Sequence, residues 1–145
     1  MASADQKKTI IAKVPLFNGL KDRQLQRLAD RMVERSYAVG DTIVQQGQGG
    51  EGFYIVTAGK ADATRLRADG DKVIVNTFGP KDFFGELALL DETGLRTASI
   101  VAVEPTTCLI LTRWDFIATL RQDADMAVEI LQEMAKRFRI ALETL

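Results

Sequence analysis

The most informative stretch of this sequence is Phe83-Phe84-Gly85-Glu86-Leu87-Ala88-Leu89-Leu90, followed at a short distance by Arg96-Thr97-Ala98-Ser99. Gly85 permits a close backbone approach or an unusual dihedral angle directly after two aromatic residues. The residues after it favour a helix with room for only one or two turns, and the unpaired N–H groups at the start of such a helix suit an anion. Arg96 follows ten residues after Glu86. Its planar guanidinium can hold two phosphate oxygens at once.

The residues alone leave two interpretations of Glu86 and Arg96 open. A carboxylate beside a phosphate site would be repelled by the ligand, unless it points at another group such as a sugar hydroxyl or pairs with the arginine. In the alternative interpretation, Glu86 and Arg96 form an ordinary salt bridge across a loop, since structural ion pairs are common.

A second glycine-containing segment resembles a nucleotide motif only in its letters. Gly47-Gln48-Gly49-Gly50-Glu51-Gly52 matches the G-x-G-x-x-G pattern of dinucleotide-binding loops. That motif requires a helix to follow, so that the positive end of the helix dipole faces the pyrophosphate. The residues that follow are Phe53-Tyr54-Ile55-Val56, whose aromatic and β-branched side chains favour a strand. We therefore interpret the segment as a turn between two strands.

Helical patterns occupy the two ends of the chain, and strand patterns occupy the middle. Apolar residues recur at helical spacing from Leu20 to Val33, with Asp22 as the expected N-terminal cap. Between Tyr37 and Leu111, short apolar runs alternate with turn residues, and the predicted strands are 42–46, 53–58, 60–67, 72–78, 98–104 and 106–112. Short strands at this spacing favour an antiparallel sandwich or barrel, and about eight of them would form a jelly roll.

From Trp114 the pattern is helical to the last residue. An apolar seam with heptad spacing comprises Ala127, Leu131, Met134, Phe138, Ala141 and Leu145. The seam either packs on its own domain, pairs with a second chain, or serves as a lid. The pattern still runs at Leu145, so we expect a longer protein or function through association.

Composition narrows the possible functions. The 145 residues carry a net charge of −1, which provides no electrostatic footprint for non-specific nucleic-acid binding. The sequence has no histidine, the commonest general base and metal ligand, and no apolar run approaches the ~18 residues of a membrane span. The single Cys108 is expected to be a buried, reduced thiol. We expect a cytoplasmic protein that is not an enzyme and requires no metal or cofactor.

The stretch from Asp82 to Ser99 resembles the phosphate-binding cassette of cyclic-nucleotide-binding domains. The resemblance covers roughly residues 14–140, and includes Val14-Pro15-Leu16-Phe17 and Phe53-Tyr54-Ile55-Val56. It implies an α+β fold, in which a jelly-roll barrel (a double-stranded β-helix) of about eight antiparallel strands is flanked by helices at both ends. The expected boundaries within a single domain, 1–145, are a helical segment 5–35, a barrel 36–112 with the cassette at 84–99, and C-terminal helices 113–144.

The resemblance also implies roles for individual residues. Glu86 would accept the ribose 2′-hydroxyl beside the Gly85 backbone, and Arg96 would bind the exocyclic oxygens of the cyclic phosphate. The remaining ligand-binding positions that it implies are Leu87 within the cassette, the amides of Ala88 and Thr97 at the phosphate, Val75 at the base, and Phe138, Ala141 or Leu142 as a cap from the last helix.

The sequence departs from the family pattern near the arginine and in the last helix. Leu95 stands where the family often has proline before the arginine, and Ala141 and Leu142 would meet the base with apolar groups. Thr97 follows the arginine, where a threonine is often linked to cGMP, although some cAMP-preferring members also carry it.

The resemblance implies a non-catalytic sensor of cAMP or cGMP in which ligand binding moves the C-terminal helix. The partner would be a second copy bound through that helix, or an effector elsewhere. The alternatives are a degenerate member that serves only for dimerisation or docking, and a pocket for another cyclic nucleotide or dinucleotide.

Overall fold

The computed structural model describes residues 2–48, 52–91 and 96–145, apart from the side chain of Leu87. The fold divides into two compact units. The barrel unit is Val33–Arg113, and the helical unit combines Met1–Met32 with Trp114–Leu145.

The barrel unit is built from antiparallel strands. Eight strands lie within the described residues: β1 (Val33–Tyr37), β2 (Thr42–Val44), β3 (Gly52–Ala58), β4 (Ala61–Leu66), β5 (Lys72–Phe78), β6 (Phe83–Phe84), β7 (Ser99–Ala102) and β8 (Thr106–Thr112). They form two four-stranded sheets with the orders β1-β8-β3-β6 and β2-β7-β4-β5. The predicted jelly roll of about eight antiparallel strands is confirmed. A strand, and no helix, follows the glycine-rich segment, as expected; Gly49, Gly50 and Glu51 themselves lie outside the described residues.

The barrel begins earlier than the sequence pattern indicated. Helical spacing extended to Val33, and residues up to 35 were assigned to the helical segment, but β1 starts at Val33. It pairs with β8 along its whole length, from Val33 opposite Ile110 to Tyr37 opposite Thr106. This continuous cross-strand ladder outweighs the local helical spacing of the apolar residues.

The barrel core lies between the two sheets. Its buried members are Val56, Ala61, Ala63, Phe84, Ile100, Cys108 and Ile110. Alternation along β3 turns Tyr54 and Val56 towards this core, while Phe53 and Ile55, on the opposite face, are also buried. Cys108 is a free thiol, and burial raises its pKa to about 11, so the reactive thiolate is disfavoured.

The helical unit contains α1 (Ala4–Ile11), a 3₁₀ turn (Pro15–Phe17), α2 (Asp22–Arg31) and most of α3 (Arg113–Gln122), followed by α4 (Ala124–Glu143). The expected cap of α2 was wrong by one residue. Lys21 is the N-cap, its N–H donates to Oε1 of Gln24 over 2.9 Å, and Asp22 is the first helical residue. The Asp22 carboxylate instead accepts a 3.2 Å ion pair from Lys8 of α1.

The C-terminal helices predicted at 113–144 are α3 and α4, which meet at Asp123. The side chain of Asp123 caps α4 by accepting the N–H of Met126 over 3.1 Å. It also forms ion pairs of 3.3 Å with Arg27 and 3.6 Å with Arg23, both on α2. The Met126 N–H holds the pKa of this carboxyl below its usual value, and the two arginines add to the effect. Asp123 therefore joins α2 to the start of α4.

The apolar side chains of α4 differ in exposure. Met126 and Ile130 of α4 are buried in the helical unit. In the same unit, Phe116 of α3 packs on Phe17 of the 3₁₀ turn, with ring centroids 6.1 Å apart. Further along α4, the side chains of Leu131 and Phe138 are each 67% exposed. None of the helices in the described ranges is long and apolar enough to cross a membrane.

We expect Asp123→Asn to remove an acid-dependent part of the stability. Asparagine can still cap the helix, but it cannot form the ion pairs with Arg23 and Arg27. Because the folded-state pKa is depressed, the carboxylate stabilises the fold above its unfolded pKa of about 3.9, and this contribution is lost as the pH falls through the folded value. Urea unfolding at pH 7, 5, 4 and 3 should show the wild type more stable at pH 7 and the gap narrowing on acidification. A gap independent of pH would contradict this role.

Candidate functional site

The cassette brings Gly85 and Arg96 into direct contact. Gly85 has a φ of +84°, in the left-handed region that glycine tolerates best. A Cβ atom added to Gly85 would lie 2.5 Å from Nη1 of Arg96, 2.7 Å from the Gly52 carbonyl oxygen and 3.0 Å from Nη2. The guanidinium therefore packs on the glycine backbone itself, as the predicted close approach at Gly85 requires.

Arg96 is anchored to the connection between β2 and β3 by its backbone as well as its side chain. The N–H of Arg96 donates to the carbonyl of Gln48, and the N–H of Gly47 donates to the carbonyl of Arg96, each over 2.8 Å. The Nη2 group donates to the carbonyl of Gly52 over 2.8 Å. These three bonds fix where the guanidinium enters the barrel.

The charge of Arg96 is half-buried and supported by uncharged groups. Its Cζ lies 5.9 Å from the centroid of the Tyr54 ring, within the range of a cation–π contact. Burial lowers the pKa of the guanidinium from its usual value, but an arginine stays protonated at neutral pH. Both described side-chain contacts of Arg96, with the Gly52 carbonyl and the Tyr54 ring, are made to uncharged groups.

The other cassette residues form a short turn after Gly85. A 3₁₀ turn spans Glu86–Leu89, and the N–H of Ala88 donates to the carbonyl of Gly85 over 3.0 Å. Ala88 and Leu89 are buried and anchor the turn, while Glu86 is half-buried at its start. The Ala88 amide would have to exchange or share this bond to bind a phosphate. Its expected role, like that of Leu87, stays a prediction.

The far end of the cassette is held by β4. Thr97 is exposed, and its carbonyl accepts the Nε–H of Arg65 over 3.2 Å. The hydroxyl of Ser99 accepts the N–H of Gln46 over 2.8 Å. Residues 92–95, which include the departure at Leu95, lie outside the described residues.

Val75, expected to line the base, lies at an irregularity of the sheet. On β4 and β5, Ala63 pairs with Asn76 but Thr64 pairs with Ile74, so Val75 is an extra residue in the ladder. Such a bulge re-aims side chains, and Val75 is 46% exposed. A cavity of about 440 Å³ begins at the next residue and is lined by Asn76, Thr77, Phe78, Lys81, Asp82 and Phe83.

The expected cap of the base comprises three exposed residues of α4 in the helical unit: Phe138, Ala141 and Leu142. Their role stays a prediction.

Sequence reasoning missed three groups that the structure places around the cassette. They are the carbonyl of Gly52, the ring of Tyr54 and the guanidinium of Arg65. Alternation along β3 could have placed Tyr54 on the inner face. The contact of a backbone carbonyl with Arg96 has no sequence signal. Among the described residues, no group of three or more His, Cys, Asp or Glu side chains could hold a metal ion.

We expect Gly85→Ala to destabilise the barrel more than Gly70→Ala does. Gly70 has a φ of +93° but open space around its Cβ position, so it reports the left-handed strain alone, about 1–2 kcal/mol. Gly85→Ala adds the displacement of Arg96 from the Gly52 carbonyl, a charge-assisted bond worth about 1.5–3 kcal/mol. Urea unfolding of both variants measures the difference. Equal losses would show that Arg96 does not depend on the glycine.

Comparison with known proteins identifies the family. The family described as "Cyclic nucleotide-binding domain" matches residues 34–123. The cyclic AMP receptor protein of Thermus thermophilus is 37% identical over 127 residues, which are 88% of this chain and 58% of that protein. The chain thus spans little more than half of this relative's length.

Two solved structures are similar as well. The N-terminal domain of a transcriptional regulator from Streptomyces coelicolor has a TM-score of 0.85 and 32% identity, with 93% of this chain and 94% of that chain covered. The regulatory domain of Toxoplasma gondii PKA, solved with cAMP, has a TM-score of 0.73 and 32% identity, with coverages of 80% and 44%. This chain belongs to the cyclic nucleotide-binding domain family.

Proposed function

We propose that this chain binds a cyclic nucleotide, cAMP or cGMP, and acts as a non-catalytic regulatory domain. The observation that carries the proposal is the half-buried Arg96 cation, which packs on Gly85 and is held by a carbonyl and a ring. An anion with two exocyclic oxygens, such as a cyclic phosphate, would supply a negative charge to this cation and accept further N–H groups of the guanidinium.

Glu86 supports the choice of a nucleotide over a simple phosphate. It directly follows Gly85 and opens the 3₁₀ turn of the cassette. A carboxylate there disfavours inorganic phosphate by like-charge repulsion but can accept a ribose 2′-hydroxyl. The resemblance to the family implies the same role for Glu86. Glu86 and Arg96 would then bind the sugar and the phosphate of one ligand.

We place cAMP before cGMP as the ligand. The relatives support this order, because one is named a cyclic AMP receptor protein and another was solved with cAMP. Thr97 is exposed beside Arg96, so its hydroxyl can serve a phosphate oxygen or a guanine amino group. The base would lie near Val75, with Phe138, Ala141 or Leu142 as the cap.

The proposed output is a shift of α4. A ligand moves an equilibrium only through different affinities for the two states, so α4 must contact the ligand or the cassette in one of them. The exposed side chains of Leu131 and Phe138 give α4 an apolar surface that a second copy or an effector could bind.

Arg96→Ala should abolish binding of cAMP or weaken it at least about thirtyfold, or ~2 kcal/mol, because a charge-assisted bidentate contact is lost. Calorimetric titration with cAMP and then cGMP measures the loss. Arg67→Ala is the matched control, since it removes the same charge from the exposed turn between β4 and β5.

Other outcomes separate the alternatives. Wild-type affinity in Arg96→Ala would refute its phosphate role. Absence of heat from folded wild type with both nucleotides would favour the degenerate docking module, and displacement of cAMP by cyclic di-GMP would indicate a broader pocket. Consumption of cAMP by the purified protein would contradict the non-catalytic assignment.

We also expect the chain to dimerise through α4. Leu131→Asp should raise the dimer dissociation constant more than tenfold, because each copy contributes one exposed leucine to the seam. Gln132→Asp is the control: it introduces the same residue one position along the helix, outside the seam. Sedimentation velocity with and without cAMP measures the effect, and a monomer under both conditions in the wild type would contradict it.

A further inference from the structure

The guanidinium of Arg96 has to be oriented before any ligand arrives. A long side chain loses rotamer freedom when it is fixed, and this loss weakens binding if it happens only in the complex. One N–H group is fixed by the protein itself, because Nη2 donates to the Gly52 carbonyl over 2.8 Å. A single hydrogen bond fixes one point of the group and leaves rotation about that point. A second contact is needed to fix the plane.

The ring of Tyr54 supplies a second contact. It lies 5.9 Å from Cζ of Arg96. Its residue follows Gly52 by two positions on the same strand, so the ring and the carbonyl approach the guanidinium from one rigid element. Neither group carries a negative charge. These two contacts therefore orient the cation without neutralising it.

The Tyr54 ring is itself fixed by neighbouring aromatic side chains. Tyr54 pairs directly with Phe84 across β3 and β6, and the two rings stack with centroids 5.0 Å apart and an interplanar angle of 7°. Phe78, at the end of β5, packs on Phe84 with centroids 5.1 Å apart. Cross-strand aromatic pairs of this kind stabilise a sheet and restrict ring motion.

We propose that Tyr54 is a positioning residue for the ligand site: its ring holds the guanidinium of Arg96 in the orientation that receives the anion. The inference rests on the proposed function for its ligand, but the orientation of Arg96 in the free protein can be tested separately. Tyr54 acts through Arg96 and need not contact the nucleotide.

The first test compares three variants by calorimetric titration with cAMP. Tyr54→Phe keeps the aromatic ring and should bind cAMP like the wild type. Tyr54→Leu removes the aromatic ring and should bind cAMP roughly three- to tenfold more weakly, because one cation–π contact is lost. Tyr37→Leu is the packing control, because Tyr37 packs on the same core cluster. Its affinity should stay near that of the wild type.

The second test needs no ligand. In ¹⁵N spectra of arginine side chains, the Nε–H signal of Arg96 is identified by its absence in Arg96→Lys. The ring current of residue 54 should shift this signal in the wild type and in Tyr54→Phe. In Tyr54→Leu the signal should move towards the position of an exposed arginine. In Tyr54→Phe and Tyr37→Leu it should stay near its wild-type position.

The outcomes distinguish this inference from the proposed function. If wild type binds cAMP and Arg96→Ala does not, wild-type affinity in Tyr54→Leu overturns the inference alone, and so does an equal loss in Tyr37→Leu. If wild type binds no cAMP, the proposed function fails, and the spectra decide: an Arg96 signal that Tyr54→Leu leaves unchanged overturns the inference, and a moved signal supports it.

Discussion

The guanidinium of Arg96 can lie where it does because residue 85 has no side chain. At a φ of +84°, and with Arg96 nitrogens 2.5 and 3.0 Å from the position of a Cβ, any other residue would meet both backbone strain and a steric clash. The rest of the site follows from this close approach. The 3₁₀ turn starts directly after the glycine, and the guanidinium reaches past it to the Gly52 carbonyl. The side chain of Arg96 thus joins the cassette at Gly85 to the start of β3 at Gly52.

The sheet topology supplies the rigid parts around this contact. β3 lies between β8 and β6, and so it has paired neighbours on both sides. Its carbonyl at Gly52 and its ring at Tyr54 are therefore fixed by ladders, while β6 presents Phe84 to Tyr54 and leads straight into Gly85. Arg96 comes from a chain segment distant in sequence, but its backbone is bonded to Gly47 and Gln48. Three separate parts of the chain converge on one guanidinium.

Most of the fold could be predicted from residue patterns, because strands and turns have local signals. The strands at 53–58, 72–78 and 106–112 were found nearly at their observed limits, since apolar and β-branched runs end there at glycine, proline or charged residues. β1 was missed because Val33 also fits the spacing of α2, and only the ladder to β8 decides between the two. The boundary between the C-terminal helices at Asp123 was not located, because the ion pair that accompanies the cap joins Asp123 to Arg27, which is distant in sequence.

The sequence singles out the residues of the cassette that have distinctive chemistry, and it does not single out the groups around them. Gly85, Glu86 and Arg96 were named from the sequence, and the structure brings Gly85 and Arg96 into contact, which was not predicted. The Gly52 carbonyl is a backbone group that every residue has, so its contact depends only on the path of the chain. The sequence pattern indicates that Tyr54 is a core residue, and the structure agrees. Its additional contact with Arg96 depends on the register of β3 on β6, which the sequence does not show.

α4 combines a start that is fixed to its own unit with exposed apolar side chains further along. Its start is fixed by Asp123, whose carboxylate binds the helix N-terminus and two arginines of α2, and by the buried side chains of Met126 and Ile130. The side chains of Leu131, directly after Ile130, and of Phe138, two turns further along, are each 67% exposed. Burial of such apolar surface lowers the free energy, so a state or partner that covers these side chains is favoured. The proposed shift of α4 would use this arrangement, because a helix fixed at its start can turn a small change there into a larger displacement at its other end.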